Sequence, residues 1–142
     1  MTEQTCVSDE QTHFGGDRVE LIMPARESML MLTRLTVAGL LANHSRDFDT
    51  QEDVKSAAAE ACYSIMQQPC AYTRIGLCFE LKPGQITLSV RGLEPTMQAQ
   101  RLESMRRCEE VALCILESMV DSVDIQKGGG VIEGFTLIRH IA

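Results

Sequence analysis

The chain has no tryptophan, two tyrosines and four phenylalanines in 142 residues, and only three lysines beside ten arginines. Proteins that bind single-stranded nucleic acid stack bases on aromatic rings along a cationic groove. Here Tyr63 and Tyr72 are the only tyrosines, and 13 basic against 20 acidic residues leave a net charge of -7. Neither stacking platforms nor a cationic face is present, so nucleic-acid binding is not expected. No apolar run approaches the ~18 residues that cross a bilayer. The opening MTEQTCVSDEQTHFGGD is polar and acidic, without the charged start and apolar stretch of a signal peptide. The expected setting is the cytoplasm, away from membranes.

Other absences concern chemistry. Cys6, Cys62, Cys70, Cys78, Cys108 and Cys114 include no C-x-x-C pair, and His13, His44 and His140 lie far apart in the chain. No metal site is expected, and in a reducing compartment the cysteines read as small buried hydrophobes with free thiols. The serines and histidines form no nucleophile and base constellation. Gly128-Gly129-Gly130 is followed by Val131 rather than by Lys-Ser or Lys-Thr, and it opens a strand-like run. It reads as a hairpin turn, not a phosphate loop.

With 44% hydrophobic and 23% charged residues, the composition is that of one globular domain. Residues 1–17 read as a flexible N-terminal tail and 18–142 as a single domain. Arg18 to Pro24 alternates as a strand does. Glu27 to Asn43 is too long and apolar for a strand, which predicts a helix buried on a wide face with Ser28 as its N-cap. Thr50 followed by Asp53 predicts a second helix from Gln51 to Gln68, stopped by Pro69. Val54, Ala58, Ala61 and Ile65 form its core stripe, which places Glu60 and Ser64 one turn apart on the flank. Strands follow at Ala71–Leu81 and Gln85–Arg91, joined by the turn Lys82-Pro83-Gly84. A polar stretch, Gly92 to Gln98, leads to a third helix at about Ala99–Ser122, with Met105, Cys108, Ala112, Ile115 and Met119 on its stripe. A hairpin of Ser122–Lys127 and Val131–Ile141 ends the chain. The order β-α-α-β-β-α-β-β predicts an α+β fold in two layers.

Pro24-Ala25, Arg34-Leu35-Thr36, Glu52-Asp53-x-Lys55 and Glu60-Ala61-Cys62, in that order and spacing, resemble the bacterial anti-sigma factor serine kinases of the RsbW type. These are single-domain members of the histidine-kinase-like ATPase superfamily. The likeness is specific from Arg18 to Cys62 and is one of pattern beyond. It implies a Bergerat-type sandwich with helices on one face of a mixed sheet. It also implies a sigma factor and an anti-anti-sigma protein as partners, homodimers, and ATP with Mg²⁺ as cofactors of a serine/threonine kinase.

The resemblance can be followed residue by residue. Glu60 stands where the family has the glutamate that acts as base or orients the phosphorylated hydroxyl. Ser64 replaces the asparagine that holds Mg²⁺, and a hydroxyl lacks the amide oxygen that makes a good hard ligand. Gly92 falls on the aspartate that accepts from the adenine amine, and Glu94 on the glycine two residues later. Glu109-Glu110-Val111-Ala112 replaces the lid glycines. A carboxylate ~4 Å from a phosphate charge costs ~4 kcal/mol at an effective dielectric near 20, about half of a micromolar affinity of about -8 kcal/mol. The register of Glu109 and Glu110 therefore matters. The expected function is a regulatory protein-binding module with lost or weakened ATP binding; the alternative is an active kinase with Glu60 as base.

Overall fold

In the computed structural model, residues 16–45, 47–96 and 109–141 are described. Strand β1, Asp17–Pro24, turns Val19, Leu21 and Met23 inward and is stopped by proline. A 3-10 turn at Glu27–Met29 then precedes helix α1, Leu30–Leu41. Ser28 lies inside that turn and Met29 takes the cap position, with no side-chain capping bond. The expected Ser28 cap is thus corrected. The tighter turn occupies the place where the cap of a longer helix would have been.

Helix α2, Phe48–Met66, starts three residues earlier than the pattern predicts. Its cap is Asp47, whose Oδ1 accepts from the Asp49 amide at 3.1 Å while Oδ2 accepts from the Thr50 hydroxyl at 2.7 Å. Thr50 therefore braces the cap from inside the first turn, and an ionised carboxylate suits this position near the positive end of the helix dipole. The stripe Val54, Ala58, Ala61 and Ile65 is buried as expected. Its alanines let the helix lie close to the sheet.

Strands β2, Ala71–Lys82, and β3, Gln85–Thr96, form a hairpin whose Pro83-Gly84 loop puts Gly84 at φ +82°, as a type II turn requires. Strand β3 runs on to Thr96, into the stretch expected to be a polar connection, whose last two residues lie outside the described ones. Helix α3 is described over Glu109–Glu117, where Ala112 and Leu116, rather than Ile115, are the fully buried residues. Met105 and Cys108 of the expected stripe lie outside the described residues. Strands β4, Ser122–Gly128, and β5, Val131–His140, form the second hairpin, with Gly129 and Gly130 at φ +62° and +79°. Two positive φ angles are what a two-residue primed turn demands, so the glycine run is a turn.

The five-stranded sheet has the order β1-β2-β3-β5-β4, and every pairing is antiparallel. The α+β reading holds, but the mixed sheet is corrected. Strand β4 does run parallel to β3, as a crossover through α3 dictates, but β5 is inserted between them and opposes both. Ile75, Leu77 and Phe79 of β2 and Ile86, Leu88 and Val90 of β3 meet α2 in one core. From the sheet, Arg139 of β5 reaches Asp53 Oδ2 at 2.8 Å, the Thr50 hydroxyl at 3.2 Å and the Met119 carbonyl at 2.6 Å. That guanidinium ties the start of α2 and the end of α3 to the sheet.

Candidate functional site

The C-terminal part of α2 and the residues just after it carry one polar line, spaced at i, i+4 and i+8: Glu60, Ser64 and Gln68. Ser64 is fully buried, and its hydroxyl donates to Glu60 Oε2 at 3.2 Å. A buried hydroxyl needs a partner; here it is the carboxylate one turn back, itself only part-exposed. Gln68, just beyond the helix and also buried, donates from Nε2 to the Ser64 carbonyl at 3.0 Å. Its Oε1 accepts from the Ile132 amide of β5 at 2.9 Å. Pro69 follows at once and stops the helix, so Gln68 is held where its amide can add a second donor to the Ser64 carbonyl, which the Gln67 amide also reaches at 3.3 Å, and accept from a strand amide.

The chain of contacts continues to Gly92. The hydroxyl of Tyr72, on β2, donates to the Ile132 carbonyl at 3.4 Å. Its ring lies against Gly92: a Cβ built there would fall 2.4 Å from the ring's Cγ and 2.5 Å from both Cδ atoms. No side chain other than hydrogen fits at residue 92 while the ring stays in place. Burial pushes the Tyr72 phenol above its ordinary pKa, with Cys70 and Glu133 adding to the effect. The ring is therefore packed between β3 and β5, and both backbone polar groups of Ile132, its N–H and its C=O, are engaged by this one cluster.

Glu94 is not part of it. It lies exposed at the sheet's end, where its carboxylate accepts from Arg74 and from the Thr73 hydroxyl, the latter at 2.8 Å. These two bonds, Arg74 first, hold the Glu94 carboxyl below the usual glutamate range. Its backbone has φ +55°, and among the described residues it is the only non-glycine with positive φ. This is the left-handed conformation that glycine adopts freely. The resemblance implies a glycine at this position, and the backbone here is one that a glycine would adopt without strain.

Of the expected site residues, Glu60 and Ser64 are in direct contact, Gly92 is linked to them through Gln68, Ile132 and Tyr72, and Glu94 stands apart. The Glu109 carboxylate pairs with Lys127 of β4 at 3.1 Å. Gln68 and Tyr72 have no signal in the sequence that would single them out: the first reads as a helix end, the second as a strand residue. Among the thiols, Cys62 is fully buried in the core and its pKa is pushed up to about 12 by that burial, which keeps it a neutral packing group. The described residues also carry a groove of about 320 Å³ on the face of the sheet away from the core, lined among others by Arg18, Ile22, Gly76 and Arg91. It is separate from the Glu60 cluster.

No family model matches the chain. It is 25% identical over 135 residues to a serine-protein kinase RsbW of Halalkalibacterium halodurans, an alignment covering 84% of this chain and 82% of that protein. It is 31% identical over 113 residues to a serine-protein kinase RsbW of Bacillus mycoides, covering 78% of this chain and 62% of the relative. A crystal structure of the RsbU and RsbW domains of a Mycobacterium tuberculosis protein superposes on 88% of this chain and 32% of that longer one, with a TM-score of 0.62 at 18% identity. The last comparison speaks to the fold, and the first two to the sequence. In sequence the chain is similar to RsbW serine-protein kinases, and its fold matches that of a solved structure containing an RsbW domain.

Proposed function

We propose that this chain is a regulatory protein-binding module of the RsbW type, an anti-sigma factor whose nucleotide site is lost or weakened. The observation that carries this reading is the outer face of α1. Met31 and Leu35, one turn apart, are each 61% exposed, and Leu32 beside them is 40% exposed. The opposite face, with Val37 and Leu41, is fully buried. A helix that is apolar all round belongs in an interior, and one with a bare apolar side is completed by a partner. Leu35 and Ala61, both among the residues that carry the family resemblance, have different roles here. Ala61 is fully buried and serves packing, whereas Leu35 points to solvent and serves contact. The partners are a sigma factor and an anti-anti-sigma protein, met in the cytoplasm.

The chemistry of the cluster supports the second half of the proposal. The Ser64 hydroxyl is buried and donates to Glu60, so the residue in the family's metal-ligand position lacks the amide oxygen and is turned away from solvent. Gly92 offers no acceptor to an adenine amine, and sites built on such a contact depend on it. The residues present do not fit Mg²⁺-ATP. Glu60 alone keeps the family's chemistry, and it is the basis of the kinase alternative.

Two measurements test the reading. The purified chain, presented with the sigma factors and anti-anti-sigma domains of its own genome, is expected to retain one of them; retention of none overturns the partner assignment. Thermal melting with millimolar Mg²⁺-ATP is expected to show no shift. A nucleotide at a hundredfold excess over its Kd would add ~2.7 kcal/mol, several degrees for this size. A clear shift, with phosphate transfer to a serine of the partner that Glu60→Gln abolishes, would establish the kinase instead.

A further inference from the structure

We propose that Tyr72 is a built-in plug: its ring takes the space that a nucleotide base would need beside residue 92, and the loss of the acceptor at that position and the presence of the ring are one coupled change. This rests on the weakened nucleotide site argued above and names the group that closes it. The ring atoms lie so close to the Gly92 backbone that even a methyl group there would collide with three of them. An aspartate at 92 and a tyrosine at 72 in this rotamer are mutually exclusive. The hydroxyl fixes the ring by its bond to the Ile132 carbonyl, and Gln68 accepts from the amide of the same residue. The plug is thus anchored to β5, and the anchor is tied back to Ser64 and Glu60. A flat aromatic side chain of this kind fills the space of a flat heterocycle, with no ligand needed to hold it there.

The test is a double-mutant cycle read by thermal melting, followed by titration with Mg²⁺-ATP. Gly92→Ala in the natural background is expected to lower the melting temperature by several degrees, because the methyl has nowhere to go. In a Tyr72→Ala background the same substitution is expected to cost little, and this non-additivity is the signature of contact. Additive effects overturn the proposal. The variant Tyr72→Ala with Gly92→Asp, which removes the ring and restores an acceptor, is expected to bind Mg²⁺-ATP at least tenfold more tightly than the natural chain. If the cycle is coupled but this variant gains nothing, the ring does not cover a base position and the proposal fails while the weakened site stands. If the natural chain itself binds Mg²⁺-ATP well, the underlying reading fails first. Should the Ala variants not fold, Tyr63→Phe leaves Tyr72 as the sole tyrosine in a chain without tryptophan. An alkaline absorbance titration is then expected to place its phenol above the ordinary tyrosine range, and titration as a free phenol overturns the packing on which the plug depends.

Discussion

The outer face of α1 and the C-terminal end of α2 reverse the distribution expected of a protein that works on a small polar ligand. On α1, the large apolar side chains of Met31, Leu32 and Leu35 are exposed rather than covered by the described residues. At the end of α2, by contrast, polar groups are drawn inside and satisfied by one another: Ser64 by Glu60, Gln68 by Ser64 and Ile132. Binding sites for polar ligands leave a few converging donors and acceptors unspent until the ligand arrives. Here the polar end has spent them and the apolar face has kept its surface. On the proposed reading, free energy of association remains available on the helix face rather than at the cluster of Glu60, Ser64 and Gln68.

The comparison can be broken most decisively at Leu35. Replacing an exposed anchor in the middle of a docking face removes about 2 kcal/mol or more of binding, a loss of roughly thirtyfold. Leu35→Asp is therefore expected to abolish capture of the partner at micromolar concentration while leaving the melting temperature almost unchanged, since surface substitutions usually lie within ~0.5 kcal/mol. A titration of the partner by calorimetry reads the first effect and a melting curve the second. A large drop in stability would mean that Leu35 packs within the chain, and the contrast between the two regions would disappear.

At the polar end the expected effect is the reverse, on stability rather than on binding. Gln68→Ala leaves the Ile132 amide buried without an acceptor, a cost of about 1–3 kcal/mol, or a melting temperature several degrees lower. The remaining folded protein should hold its partner as before. If Gln68→Ala instead weakened partner binding with no change in melting, this end of the molecule would be part of the contact surface.

What the sequence made legible follows the same division. The α2 stripe was legible because four residues at helical spacing leave one face for the core, and the two hairpins because Pro83-Gly84 and Gly129-Gly130 have few other uses. The sheet's parallel or antiparallel character was not, because insertion of β5 between β3 and β4 is a choice among neighbours that no local pattern records. Asp47 as the cap of α2 was hidden because Thr50 offers an equally good capping residue three positions on, and only the extended backbone at Asp47 decides between them. Glu60 and Ser64 were placed together correctly by helix geometry. Tyr72 and Gln68 were not found, since their partners are 60 and 64 residues away in the chain. Contacts across such distances are properties of the packed sheet.

The smallest expected effect lies at Glu94, and its sign depends on pH. The left-handed backbone at this residue is strained for glutamate and relaxed for glycine, so Glu94→Gly removes strain but also removes the contacts with Arg74 and Thr73. The folded carboxyl is held below its ordinary range, chiefly by Arg74. Its contribution to stability is therefore fully present above the unfolded pKa and is lost as the pH falls through the folded one. At neutral pH the gain and the loss oppose each other, and because the pair is exposed to solvent the net change is small. In acid the ionic contribution is gone and the strain remains, so the glycine variant becomes the more stable of the two. Melting curves of both proteins should accordingly show the difference moving in favour of Glu94→Gly as the pH is lowered. A difference that stays constant with pH would mean that the Arg74 contact adds nothing in solution, and that the carboxylate at the sheet's end is a solvated charge like those of the open face.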